Sequence, residues 1–133
     1  MKPFLLVFIL LSSILSTAQE KKEKTFKAGE YTMKQYYFVM LTKGPRRAEI
    51  TDTARINELQ RGHMANIDRL AKEGKIIVAG PFGDDGNWRG IFVFDCETQD
   101  EVEKHLKTDP AIAAGRMAYE IHPWWTAKGT TFK

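Results

Sequence analysis

His63 holds the position that most asks for a chemical explanation. Ile56, Leu59, His63, Ile67 and Leu70 follow at steps of three, four, four and three residues, so they share one face of a helix. An aliphatic side chain would pack better than an imidazole in the middle of that stripe. Two readings are open. The ring is a partly buried structural histidine satisfied by a backbone carbonyl, as buried polar groups usually are, or it faces a cavity between helix and sheet as a general base or acid. Asp109 is the second candidate. On its own, Asp before Pro110 reads as a helix N-cap with proline at the first helical position. His105 lies one turn before Asp109 and reads as a solvent-facing residue near a helix C-terminus.

Other chemistries find little support. His63, His105 and His122 lack the ligand spacing of a metal site, so no metal is expected. Gly83-Asp84-Asp85-Gly86-Asn87 lacks the length and terminal Glu of a calcium loop and reads as a hairpin connection. No dinucleotide, Walker, nucleophile-elbow or zinc-protease motif is present, and no cofactor is expected. Cys96, the single cysteine, follows Ile91-Phe92-Val93-Phe94 and reads as a small buried thiol. Trp124-Trp125 could line a ligand pocket or clamp the C-terminal segment onto a neighbour.

The elements that must position these residues can be read in order. A strand is expected over 35–42, rich in Tyr, Phe and Val, ended by Lys43-Gly44-Pro45-Arg46-Arg47. Thr51 and Asp52 are candidate caps for a helix reaching about Glu73, with Gly74 beyond it. A strand at 75–80, the turn, and a strand at 89–95 follow. Thr98-Gln99-Asp100-Glu101 is a capping box for a second helix to about Thr108. A further helical turn and a last strand at 116–123 complete the chain. This β-α-β-β-α-β order is the ferredoxin-like α+β pattern, a four-stranded antiparallel sheet with both helices on one face.

The first and third strands are apolar on both faces: Tyr37, Val39 and Leu41 oppose Tyr36, Phe38 and Met40, and Phe92 and Phe94 oppose Ile91 and Val93. A half-solvated strand would alternate with polar residues, and so large a bare patch is seldom left in water. The economical cover is a second copy, sheet against sheet. A homodimer of the α+β barrel type is therefore expected.

The first eighteen residues address the protein. Lys2, the apolar run Phe4 to Leu11 and the small residues Ser16-Thr17-Ala18 have the layout of a secretory signal peptide. The expected organisation is a signal peptide over 1–18, a poorly ordered polar leader over 19–34, and one domain over 35–133. The product would be periplasmic or secreted, with no membrane attachment after cleavage. The formal charge of +3 is mild and unclustered, which argues against a nucleic-acid partner.

With these pieces in place, the chain resembles the YCII-related (YciI-like) domain family. The resemblance rests on Arg61-Gly62-His63-Met64, on Gly74, and on Ala79-Gly80-Pro81-Phe82. It continues through Gly90, Asp109-Pro110 and Ile121-His122-Pro123-Trp124, covering about residues 35–126. It implies a ferredoxin-like fold that dimerises through its sheets, and an active-site pair corresponding to His63 and Asp109. Two functions follow. One is a cofactor-independent isomerase or lyase for a small organic acid or lactone. In it, His63 moves a proton beside a carbonyl, Asp109 orients the ring, and Arg61, Arg89 or Arg116 binds a substrate carboxylate, with Trp124 against the ligand. The other is a non-catalytic dimeric module that binds a small ligand or a protein.

Overall fold

A computed structural model describes residues 20–132; the expected signal peptide lies outside them. The sheet is organised by β2 (Tyr31–Lys43), whose thirteen residues pair antiparallel with three other strands. Along one edge runs β5 (Met117–Ala127), in register from Met33↔Ala127 to Lys43↔Met117. The other edge is shared by β1 (Thr25–Ala28) and β4 (Trp88–Phe94), with β3 (Ile76–Pro81) outside β4. Three helices complete the chain: α1 (Thr53–Lys72), α2 (Gln99–Leu106) and the single turn α3 (Pro110–Ala113). No helix among the described residues is long and apolar enough to cross a membrane.

The expected βαββαβ order is therefore present with one addition. The leader was expected to be poorly ordered, yet from Thr25 it forms a hairpin that turns at Gly29 and makes β1 and the start of β2. β1 is exposed along its whole length, so no hydrophobic alternation announces it. Backbone pairing to Tyr31–Lys34 holds it, and an ion network fastens the preceding residues. Lys34 is buried and donates to Glu23 at 2.6 Å and to Asp95 at 2.9 Å; Glu23 also accepts from Lys128 at 2.5 Å. The last strand also extends beyond 123, so Trp124 and Trp125 lie within β5.

Both main helices lie on one face. Tyr37, Val39 and Leu41 of β2 and Phe92 and Phe94 of β4 meet Leu70 of α1 and Val102 and Leu106 of α2 in a single core, with Cys96 inside it. Burying each such aliphatic or aromatic side chain contributes roughly 1.5–3 kcal/mol. The opposite face carries Tyr36, Phe38, Met40, Ile91, Val93 and Trp124, matched across strands in register. Tyr36 and Val93 are buried, Phe38, Met40 and Ile91 are half-buried, and Trp124 is exposed.

α1 starts and stops by recognisable means. Asp52 caps it by accepting from the Arg55 N–H at 2.7 Å. Gly74, at φ +69°, turns the chain away while its N–H and that of Lys75 cap the last carbonyls. Leu59, His63 and Leu70 are the buried residues of the helix, and Ile56 and Ile67 are half-buried beside them.

Candidate active site

The site begins where α1 approaches α3. Gly62 sits in the middle of α1, and a Cβ there would stand 2.7 Å from Pro110 Cγ. Only the missing side chain allows the two helices so close. The next residue, His63, is thereby brought against Asp109, whose side chain is 1 % exposed. His63 Nδ1 and Asp109 Oδ2 are 2.5 Å apart. The other oxygen, Asp109 Oδ1, accepts from the Ala111 N–H at 2.8 Å and caps α3. One oxygen of Asp109 thus caps α3, as the Asp-Pro step leads one to expect, and the other meets His63.

An ionised Asp109 can only accept, and against such a carboxylate Nδ1 is the protonated nitrogen of a neutral ring. Nε2 is then the nitrogen available for exchange, and its bonded neighbour cannot rotate away. Phe92 of β4 lies against the ring, with centroids 6.0 Å apart and planes inclined by 30°. His63 is thus held from behind by Asp109 and from the sheet side by Phe92.

The ring borders a cavity with two adjoining lobes. An apolar lobe of about 270 Å³ lies between α1 and the sheet, against Leu41, Met64, Ile67, Ala79 and Phe92. A polar lobe of about 230 Å³ is bordered by Arg47, Arg89 and Arg116. His63, Gln60, Pro81, Arg89 and Met117 belong to both. The imidazole therefore stands at the junction of a greasy space and a cationic one. Asp109 lines neither lobe.

The structure sorts the expected ligand-binding residues. Arg89 and Arg116 reach the polar lobe. Arg61 does not: it is exposed on α1 and lines neither lobe. Two residues before His63, it points about 200° around the helix from it. Trp124 is also elsewhere. It pairs with Tyr36 on the opposite sheet face and packs edge-on against Phe38, with centroids 6.2 Å apart. Sequence reasoning missed Arg47, which lies in the segment read only as a strand breaker. Burial pushes its guanidinium below the ordinary arginine value, and the nearby charges of Arg116 and Arg89 push the same way.

One group of metal-ligating types gathers among the described residues, namely Cys96, Glu101 and His105, with ligand atoms within 4.8 Å of one another. Glu101 there already accepts from Lys75 Nζ at 2.6 Å and from the Glu97 N–H at 3.0 Å. Burial pushes the Cys96 thiol up to about 12. Lys75 supplies the cation in this cluster, and the thiol stays protonated.

Comparison with known proteins agrees with the architecture. The profile of the YCII-related domain family matches residues 36–125. No curated protein matches the chain. Among solved structures, it is similar to 5-chloro-2-hydroxyhydroquinone dehydrochlorinase from Burkholderia phenoliruptrix AC1100 in complex with 2,5-dihydroxybenzoquinone. The identity is 23 %, the TM-score 0.51, and the match covers 67 % of this chain and 92 % of that one. It is also similar to muconolactone isomerase, at 18 % identity and TM-score 0.55, over 74 % of this chain and 96 % of that one. At such identities the likeness speaks for the ferredoxin-like α+β barrel fold alone.

Proposed function

The chain belongs to the YCII-related domain family, and from that premise we propose that it is a cofactor-independent isomerase or lyase for a small organic acid or lactone. The observation that carries this reading is the shared carboxylate of Asp109, which caps α3 and holds His63 Nδ1 at 2.5 Å beside a cavity. A purely structural histidine needs only a hydrogen-bond partner. It does not need its second nitrogen kept for a space large enough for a small molecule. The oriented pair at the edge of that cavity is what favours an enzyme over a non-catalytic binding module.

The proposed chemistry is a proton transfer. Nε2 takes a proton from the carbon next to a substrate carbonyl, and the C–H electron pair passes into an enolate. Asp109 holds the ring in place and stabilises the imidazolium that forms. The guanidiniums at the polar lobe stabilise the negative charge that develops on the substrate. In an isomerase, the imidazolium returns the proton to a different carbon of the delocalised enolate. In a lyase, the enolate expels a leaving group from the adjacent carbon with its electron pair, and a double bond remains. Both outcomes balance without an external oxidant or reductant.

Two further elements belong to the proposal. The apolar face around Phe38, Ile91, Val93 and Trp124 is covered by a second copy in a back-to-back dimer, and the protein works outside the cytoplasm once residues 1–18 are removed. The test of the activity uses the two substrates named by the similar structures as probes. In deuterated water, the wild type is expected to incorporate deuterium into muconolactone or to release chloride from 5-chloro-2-hydroxyhydroquinone, and H63A is expected to do neither. Wild-type protein that exchanges no proton on either probe or on a dianionic keto acid, or H63A as active as the wild type, would count against the enzyme.

A further inference from the structure

We infer that the polar lobe beside His63 is built for a compact, doubly charged oxyanion, so that the substrate carries a dianionic head with an apolar body in the neighbouring lobe. The inference rests on the reading that this cavity is the substrate site, and it goes further by fixing the charge of what enters.

Gly44 follows β2, and a Cβ there would fall 2.3 Å from the Gly115 carbonyl oxygen. With no side chain, its N–H donates to the Arg116 carbonyl at 2.9 Å, and the Arg46 N–H donates to Gly115 at 2.9 Å. The β2–α1 connection is thereby stitched to the start of β5. That stitching puts Arg47 and Arg116 on the same lobe, and β4 delivers Arg89 from across it.

These guanidiniums are positioned but not neutralised. Arg116 Nη1 donates to the Ile50 carbonyl at 3.2 Å. Arg89 Nη1 donates to the carbonyls of Asp84 at 3.0 Å and Gly86 at 3.2 Å. Each of these anchors uses one nitrogen, whereas an arginine offers five N–H donors. Among the described residues, the one carboxylate paired with any of the three is Asp85, 3.4 Å from Arg89 and almost fully exposed. A protein surface commonly answers a guanidinium with a carboxylate, as Arg46 is answered by Glu49 at 2.9 Å one residue away. Arg47 makes no ion pair among the described residues; burial and the charges of Arg116 and Arg89 weigh against its guanidinium, and the charge of Asp85 offsets them only in part. Asp85 is moreover shared with Lys43 at 3.6 Å, so at least two of the three cationic forks are left without a carboxylate of their own.

A single carboxylate would leave one of these still uncompensated. A phosphate-type head or a pair of close carboxylates would satisfy both and could take bidentate contacts from more than one fork. The lobe's volume of about 230 Å³ suits such a head group. The adjoining apolar lobe, without a charged lining residue other than the shared Arg89 and His63, receives the rest of the molecule.

Inorganic phosphate, malonate and acetate serve as probes, titrated by calorimetry at about pH 8 and constant ionic strength, where phosphate is a dianion. Phosphate or malonate is expected to bind at least about tenfold more tightly than acetate, because charge-assisted contacts to a second fork are added. R47Q is expected to weaken the dianion by about tenfold for the same reason. R46Q, next in sequence but paired with Glu49, should change it less than about twofold. Circular dichroism confirms that the R47Q protein is folded. Equal binding of acetate and the dianions, or equal losses in R46Q and R47Q, would overturn the inference. H63A separates the two proposals. Dianion binding with full proton exchange in H63A sinks the acid–base reading alone, and lost exchange in H63A without dianion preference in the wild type sinks this one alone.

Discussion

Replacing Gly62 by alanine should make the helix better and the site worse. In an isolated helix the change is favourable by about 1 kcal/mol, since glycine is the poorer helix former. Here the new Cβ would lie 2.7 Å from Pro110 Cγ and 3.3 Å from Pro110 Cβ, against the 3.4–4 Å of ordinary contact. The proline ring cannot swing aside like a long side chain, so the first turn of α3 must retreat by roughly 0.7–1 Å, at a cost of about 1–3 kcal/mol for such overpacking. Helix gain and steric cost nearly offset, and the net change in stability should stay within about 2 kcal/mol. Asp109 precedes Pro110 and moves with it, which stretches the 2.5 Å contact to His63. A displacement near 1 Å in a catalytic group costs on the order of a hundredfold in rate. Urea denaturation and the exchange assay, run on the same preparation, read the two effects apart. A G62A protein about 1 kcal/mol more stable, with unchanged exchange, would refute the idea that the glycine exists to let α3 deliver Asp109.

Other consequences can be checked independently. Hydrogen bonds from Lys128 and Lys34 hold the Glu23 carboxyl at about 2, well below its ordinary 4.5. A depressed folded value gives stability that is present above pH 4.5 and is lost as the pH falls toward 2. E23Q should therefore lower Tm near neutrality and flatten its fall over that acid range; identical Tm–pH curves would contradict the clamp. Cys96, buried and pushed up to about 12, should ignore Ellman's reagent at pH 8 until urea is added, and rapid native labelling would show the thiol exposed. Charging the centre of the far sheet face with V93E should give a monomer by light scattering where the wild type is a dimer; a monomeric wild type at micromolar concentration would remove the proposed dimer.

Much of this architecture was legible because its signals are periodic or local. The α1 stripe of Ile56, Leu59, His63, Ile67 and Leu70 is set by helix geometry, and His63 stands out only against it. The Thr98 cap and the Asp109-Pro110 step are local rules, and both mark helix starts. β1 was hidden because an edge strand of Thr-Phe-Lys-Ala with every residue exposed has no face to bury. The choice among arginines was hidden for a different reason. Arg47 and Arg116 are far apart in sequence, and their meeting depends on two backbone hydrogen bonds and on the absence of side chains at Gly44 and Gly115. Arg61 could have been set aside from the sequence, since two residues of helix carry it to the opposite side from His63. Trp124 could have been placed by counting alternation along β5 once its register with Tyr36 was known.

The proposed chemistry depends on Asp109 keeping the proton on Nδ1 of His63 and leaving Nε2 to act. The most direct measurement is the nitrogen-15 spectrum of the His63 ring in its neutral form, for the wild type and D109N, with the exchange rate measured alongside. In the wild type Nδ1 is expected to be protonated and Nε2 bare. In D109N the amide keeps accepting from Ala111 but donates to Nδ1, the proton moves to Nε2, and exchange falls by about 10⁴ as a wrong tautomer does elsewhere. A wild-type ring protonated on Nε2, or a D109N protein that exchanges as fast as the wild type, would contradict the proposed chemistry.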